Sequence, residues 1–166
     1  MFRSTMTTPA TAALLVAVLP AAALAGAIAV DHGHGPTYVH DATYADVETQ
    51  VHSWATDGHT TIRLMVDGLP ADRRFGAHVH VKPCGAVATD SGGHYQHGDA
   101  TQPLSDREIW LAFTTDAEGH GVGRTTVPWE INAGTAGSVV VHVSPTDPAT
   151  GAAGARLFCT TVPFGS

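Results

Sequence analysis

After residue 43 the chain consists largely of short runs that are either apolar or alternate between apolar and polar residues, as in the strands of a sheet. Turn sequences such as Asp57-Gly58 separate the alternating runs. Outside the first 25 residues, no stretch keeps a helical period. The pattern predicts an all-β domain with strands over residues 47–54, 61–66, 75–81, 109–114, 122–127, 138–143 and 156–162.

Two long segments interrupt this series of strands. Residues 82–107 have no strand pattern but contain Cys84, His94 and His97, and residues 144–155 are rich in Pro, Gly and Ala. Loops of this length inside compact domains are usually functional or disordered. Because the first segment carries a cysteine and histidines, we interpret it as functional.

The composition agrees with one compact domain rich in turns. The 166 residues are 43% hydrophobic and only 14% charged, and they include 18 Gly and 10 Pro. The formal net charge is −7, and it becomes −8 without residues 1–25, in which Arg3 is the only charged residue. A protein this acidic is not expected to bind nucleic acid or an anionic membrane surface.

The first 25 residues have the features of a signal peptide. Arg3 precedes a hydrophobic run at residues 12–19, and residues 23–25 form an Ala-x-Ala cleavage site. An uncleaved anchor is the alternative, because residues 11–30 are about long enough to cross a bilayer. Pro20 and the Ala-rich composition favour cleavage. The mature protein is then extracytoplasmic and has no stable association with a membrane.

Residues 26–42 lack a usable period and are predicted to form a flexible segment ahead of a domain at residues 43–166. This segment carries His32, His34 and His40. We favour a solvated tail, and the alternative is a weak metal-scavenging arm that feeds the main site.

Cys84 and Cys159 are the only cysteines of the chain. In an exported protein a disulfide between them is the default interpretation. Two buried free thiols, or a pair of copper-binding thiolates, are the alternatives.

The pair His78 and His80 is the strongest candidate for chemistry. Alternate residues of a strand point to the same face, so the two imidazoles project side by side while Val79 faces the core. Neutral imidazoles on a rigid backbone are good ligands for transition metals. A lone His-x-His is common by chance, but here Gly-Gly-His ending at His94 and Val-Val-His ending at His142 follow it.

The order and spacing of these motifs resemble the copper-zinc superoxide dismutases. The resemblance covers about residues 44–164 and implies an antiparallel Greek-key β-barrel or sandwich of about eight strands. The motifs that carry it are FGAHVHV at residues 75–81, Gly-Gly-His at 92–94, SVVVHVSP at 138–145 and GARLFC at 154–159.

The resemblance implies a set of copper ligands. His78, His80 and His142 match the ligands that bind copper alone, and His94 matches the imidazole that bridges two metals in the family. His94 would also release copper and carry a proton during turnover, which an imidazole with a pKa near neutrality can do.

The same resemblance implies the reaction. Superoxide reduces Cu(II) and leaves as dioxygen, and a second superoxide takes up the electron and protons to form hydrogen peroxide. Arg156 matches the arginine that guides the anion and would hold it by a charge-assisted hydrogen bond. Lys82 would add positive potential at this point of an acidic protein. Cys84 and Cys159 match the disulfide of the family.

The zinc half of the family's pattern is incomplete. The family places two further histidines and an aspartate after the bridging residue, whereas here only His97 follows closely. With Asp99, Asp106 and Glu108 it does not form a convincing set of zinc ligands. The sequence therefore favours a copper-only protein over a copper-zinc one. Glu108, or failing that Asp106, would then orient His94, and His97 would be a solvated loop residue.

Taken together, these features predict an exported, copper-dependent superoxide dismutase whose small partner is the superoxide anion. A non-catalytic, copper-buffering protein on the same fold is the main alternative, and a structural β-sandwich with incidental histidines is the third. Arg156 discriminates between the first two, because copper storage needs no cation that guides an anion. The sequence does not predict the oligomeric state.

Overall fold

The computed structural model describes residues 30–31 and 35–165. The predicted signal peptide and the metal-binding alternative for His32 and His34 fall outside these residues. Within the described residues, no helix is long and apolar enough to cross a membrane.

The described residues fold almost entirely into strands and loops, as the alternating pattern predicts. The helical elements are short: α1 is Leu104–Arg107, and two 3₁₀ turns lie at Ala42–Tyr44 and Ala88–Ser91. The strands are β1 Val30–Asp31, β2 Pro36–Val39, β3 Glu48–Thr56, β4 His59–Asp67, β5 Arg74–His80, β6 Phe113–Thr114, β7 Gly121–Val127, β8 Ser138–His142 and β9 Arg156–Thr161.

Two antiparallel sheets enclose the core. One has the strand order β1-β2-β9-β8-β5-β6, and the other has the order β3-β4-β7. In the larger sheet β2 pairs with β9 and β5 with β8, so strands far apart in sequence are neighbours. The fully buried core includes Val51, Ile62 and Leu64 from the smaller sheet and Phe75 and Val79 from the larger. The predicted all-β antiparallel sandwich is confirmed.

The structure differs from the predicted strands at two places. Residues 30–31 form β1 and residues 36–39 form β2, although the sequence predicts that they belong to a flexible segment. A strand of four residues is too short to give a recognisable alternation. In the predicted strand at residues 109–114 only the last part of the run forms β6, and Trp110 makes an isolated bridge to His78 instead.

Strand β5 has bonded neighbours on both edges and carries His78 and His80. On one edge β8 pairs with it and brings His142 close to both. On the other edge the long loop turns back along β5, where His94 forms an isolated bridge with His80. The topology therefore gathers the four histidines around one strand.

A disulfide joins Cys84, near the start of the long loop, to Cys159 in β9. The two cysteines are 75 residues apart in sequence, and Cys159 is fully buried. The predicted disulfide is confirmed, and the alternative of free or copper-binding thiols is wrong.

Replacing both Cys84 and Cys159 with alanine is expected to lower the free energy of unfolding by about 4 kcal/mol, because the unfolded chain regains the entropy of the open loop. The melting temperature should fall by roughly 10 °C. Thermal unfolding of the metal-free protein measures this, and a reductant should lower the melting temperature of the wild type but leave the variant unchanged. Equal melting temperatures for the two proteins would contradict the prediction.

Candidate metal centre

Four histidines converge beside β5. His78 and His80 come from β5, His142 from β8 and His94 from the loop at residues 82–107. One ring nitrogen of each lies within 4.8 Å of a ring nitrogen of every other. His78, His80 and His142 are buried, and the side chain of His94 is 20% exposed. The structure thus brings together all four residues that the resemblance suggests as copper ligands.

Backbone carbonyls fix the proton on two of these imidazoles. Nδ1 of His80 lies 3.1 Å from the carbonyl oxygen of Gly92, and Nδ1 of His142 lies 3.0 Å from that of Gly154. A carbonyl only accepts, so in each ring the Nδ1–H donates and Nε2 keeps a lone pair. Both Nε2 atoms are buried and have no hydrogen-bond partner.

His78 has the opposite arrangement. Its Nε2 lies 2.7 Å from the Thr146 hydroxyl, and its buried Nδ1 has no hydrogen-bond partner. A buried polar atom without a partner costs free energy, and such atoms are rare in folded proteins. Three of them in one cluster of imidazoles are what a site for a transition-metal ion requires, so the donor set fits copper.

Burial keeps these imidazoles neutral. Loss of hydration, reinforced for His78 by the neighbouring imidazoles, lowers its pKa to about 2. Loss of hydration also lowers the pKa of His80 to about 3 and that of His142 to about 4, against hydrogen bonds from these rings to backbone carbonyls that act to raise them. Near neutral pH each ring therefore offers an unprotonated nitrogen, which is the form that binds a metal.

Glu108 holds the fourth histidine. Its Oε2 lies 2.9 Å from Nδ1 of His94, and the residue is only 4% exposed. Burial acts to raise the pKa of Glu108, but hydrogen bonds from Trp110, Gln96 and His94 outweigh it and hold the pKa below its ordinary value. The contact is the one that the sequence analysis suggests for Glu108 rather than Asp106. Asp106 is exposed and bonds to the Ser105 hydroxyl.

Two donors to Glu108 were not predicted from the sequence. Nε1 of Trp110 donates to Oε2 at 2.8 Å, and Nε2 of Gln96 donates to Oε1 at 2.8 Å. Neither residue belongs to a motif that the sequence marks as functional. The two-residue spacing of Glu108 and Trp110 is the signal that could have paired them.

The remaining candidates for zinc ligands are not brought together. The ring of His97 stacks on Trp129, with ring centroids 4.6 Å apart. Asp99 is exposed and accepts a hydrogen bond from the backbone N–H of Thr101. In the part of the chain that the structure describes, one other cluster of metal-binding side chains occurs, an exposed group in a turn formed by Asp116, Glu118 and His120.

Arg156 is tied to the loop that supports the histidines. Its Nη1 donates to the carbonyl oxygen of Ala88 at 2.7 Å and to Oγ of Ser91 at 2.9 Å, and its Nη2 donates to the carbonyl oxygen of Gly92 at 2.7 Å. The same Gly92 oxygen accepts the hydrogen bond from Nδ1–H of His80. The positive charge of Arg156 contributes to the low pKa of His80, so the guanidinium lies within electrostatic reach of the cluster.

Glycine lets the second loop, residues 144–155, pack against the cluster. A Cβ at Gly76 would lie 2.7 Å from Cβ of Ala153 and 2.8 Å from the carbonyl oxygen of Ser144. A Cβ at Gly151, where φ is +71°, would lie 3.1 Å from Oε2 of Glu108. A side chain at either position would push the loop away from the residues that it covers.

Comparison with known proteins gives a structural match. No family model and no curated protein matches the sequence. A copper-zinc superoxide dismutase from Brucella abortus superposes with a TM-score of 0.55 and 21% identity, over 69% of this chain and 87% of that one. This chain has the superoxide dismutase fold. A double mutant of a SOD-like protein from Bacillus subtilis superposes with a TM-score of 0.51 and 15% identity, also over 69% and 87%.

The match confirms the fold that the resemblance implies. On this superoxide dismutase fold, the four histidines lie at the junction of β5, β8 and the long loop. His40 is not part of the cluster, and its backbone N–H bonds to the carbonyl oxygen of Leu157. The roles of the individual residues remain predictions.

The metal-free protein is expected to lose stability as the pH falls from 6.5 towards 4. The folded-state pKa values of His78, His80 and His142 lie below 6.5, so below that pH the unfolded chain binds more protons than the folded one. Their stabilising contribution is complete above pH 6.5. Thermal unfolding across this range, in the presence of a chelator, measures the effect.

The controls for this pH dependence use two substitutions. His142→Gln removes one of the buried imidazoles and should make the loss less steep. His59→Asn removes an exposed imidazole and should leave the slope unchanged. Identical slopes in all three proteins would show that the buried histidines do not cause the loss.

Proposed function

We propose that this protein is an exported superoxide dismutase of the copper-zinc family type, with copper held by His78, His80, His94 and His142. The observation that carries the proposal is the convergence of four imidazoles, three of which each have a buried ring nitrogen without a hydrogen-bond partner. The superoxide dismutase fold supports it. Copper bound there would supply a redox couple that accepts an electron from one superoxide and returns it to another.

Glu108 and His94 have complementary roles in this proposal. The carboxylate accepts a hydrogen bond from Nδ1–H of His94, which leaves Nε2 as the nitrogen available to copper. His94 is the only partly exposed member of the cluster. It is therefore placed to pass protons between solvent and the interior of the cluster.

We further propose that the site works with copper alone. In a copper-zinc site both nitrogens of the bridging imidazole bind metal, but here Glu108 occupies Nδ1 of His94. His97 stacks on Trp129 and lies outside the cluster. The Glu108 carboxylate therefore occupies the position at Nδ1 of His94 that a second metal would need.

Arg156 is our candidate for binding the superoxide anion. Three hydrogen bonds to loop oxygens hold its guanidinium in place, and its charge is felt at His80 and His142. A fixed cation beside the cluster would attract the anion to a protein whose net charge is −7. Lys82 is exposed and remains a secondary candidate.

An extracytoplasmic location is part of the proposal. The Cys84–Cys159 disulfide supports it, because disulfides persist in oxidising compartments. Cleavage of a signal peptide at residues 23–25 remains a prediction. Mass spectrometry of the exported protein would test it.

Metal content and activity of the same sample test the proposed function. Protein loaded with both metals and dialysed is expected to hold one copper and no zinc per chain and to dismutate superoxide. His142→Ala should lower the copper content, whereas His59→Ala should not, because His59 is exposed and outside the cluster. Copper without activity would indicate a buffering protein. One copper with one zinc would overturn the copper-only proposal, and no retained copper would indicate a structural module.

Arg156→Ala is expected to lower the dismutation rate at least about tenfold, the value of one lost charge-assisted hydrogen bond, and to leave the copper content unchanged. Arg156→Lys should retain part of the rate because it keeps the charge. Ser91→Ala serves as a control, since it removes one partner of Arg156 without removing the guanidinium. Loss of copper together with activity in Arg156→Ala would contradict the assigned role.

A further inference from the structure

We propose that Trp110 and Gln96 are positioning residues, which fix the Glu108 carboxylate so that His94 keeps its proton on Nδ1. The inference rests on the proposed function to the extent that Nε2 of His94 is taken to be a copper ligand. The hydrogen-bond arrangement itself is independent of any metal.

Trp110 and His94 share one oxygen of Glu108. Nε1 of Trp110 lies 2.8 Å from Oε2, and Nδ1 of His94 lies 2.9 Å from the same atom. The backbone of Trp110 is itself bridged to His78 on β5. The indole is therefore anchored to the strand that carries the cluster, and it determines where Oε2 lies relative to His94.

Gln96 fixes the other oxygen. Its Nε2 donates to Oε1 of Glu108 at 2.8 Å, and its own Oε1 accepts from Nη1 of Arg107 at 2.6 Å. A guanidinium only donates, so the amide oxygen of Gln96 must face Arg107 and the amide nitrogen must face Glu108. A reversed amide would place a lone pair against the carboxylate.

The consequence for His94 follows from donor and acceptor counts. An ionised carboxylate only accepts, and here it receives three N–H donors, from His94, Trp110 and Gln96. While the carboxylate stays in place, His94 can bond to it only through Nδ1–H. If the carboxylate rotated away, the ring could move its proton to Nε2 and block the nitrogen that faces the cluster.

A purely structural role for Trp110 makes a different prediction. If the ring only fills space, Trp110→Phe should change stability slightly and leave the tautomer of His94 unaltered. If the indole N–H positions Glu108, the same substitution should change the tautomer of His94. Trp129→Phe is the matched control, because Trp129 lines the same surface cavity as Trp110 but forms its ring stack with His97.

The first experiment reads the tautomer of His94 in the metal-free protein, using two-bond ¹H–¹⁵N spectra of ¹⁵N-histidine-labelled protein. The wild type and Trp129→Phe are expected to show one His94 species, protonated on Nδ1. Trp110→Phe should show an additional species protonated on Nε2. If Trp110→Phe does not fold, Gln96→Leu replaces it, because Gln96 is exposed. This variant should also show the additional His94 species protonated on Nε2. An unchanged His94 signal in the folded variants would overturn the proposal.

The second experiment is a double-mutant cycle with Glu108→Gln, read as Cu(II) affinity in competition with a chelator. Trp110→Phe should weaken binding about tenfold in the wild-type background, as loss of partners behind a metal ligand commonly does. It should have little further effect in the Glu108→Gln background, because it acts through the carboxylate. Equal effects in both backgrounds would overturn the proposal.

The two readouts separate this inference from the proposed function. The spectra are recorded without metal, so a change of tautomer supports the positioning roles even if the loaded protein proves inactive. If the enzyme is active but the His94 tautomer is the same in the wild type, Trp110→Phe and Gln96→Leu, the proposed function stands and the positioning roles are refuted.

Discussion

The packing of three buried imidazoles, each with one ring nitrogen that has no hydrogen-bond partner, is the interaction on which the rest of the site depends. Nδ1 of His78 and Nε2 of His80 and His142 lie in one cluster, each at a cost in free energy that a folded chain rarely tolerates. The pleat of β5 places two of these rings on one face, and the pairing with β8 supplies the third. A metal ion bound by these nitrogens would remove this cost, and copper would suit such a set of donors.

Groups in the loops, and not in the strands, determine which nitrogen of each ring is hydrogen-bonded. The carbonyl oxygens of Gly92 and Gly154, the hydroxyl of Thr146 and the carboxylate of Glu108 each bond to one ring of the cluster. Each of these groups lies outside the strands. The disulfide, the hydrogen bonds of Arg156 and the close packing at Gly76 hold both loops against the sheet. Stability of the loops and geometry of the cluster are therefore coupled.

Charge is distributed unevenly around this centre. The chain is acidic as a whole. Beside the cluster, however, lies a positive charge, the guanidinium of Arg156, which is held by hydrogen bonds to loop oxygens. A buried carboxylate, Glu108, receives three N–H donors and bonds to the most exposed imidazole of the cluster. In the function that we propose, the cation would attract the substrate and the carboxylate would orient the histidine that handles protons.

The sequence by itself determined the all-β class, the common face of His78 and His80 and the pairing of the two cysteines, because a two-residue period and a short list of cysteines are local or countable signals. It also suggested Glu108 as the partner of His94, with Asp106 behind it. Only the tertiary structure decided between these carboxylates, revealed β2 and the donors Trp110 and Gln96, and selected the free nitrogen of each ring. The reason is physical: these outcomes depend on how loops distant in sequence dock against β5, and such contacts leave no period in the chain.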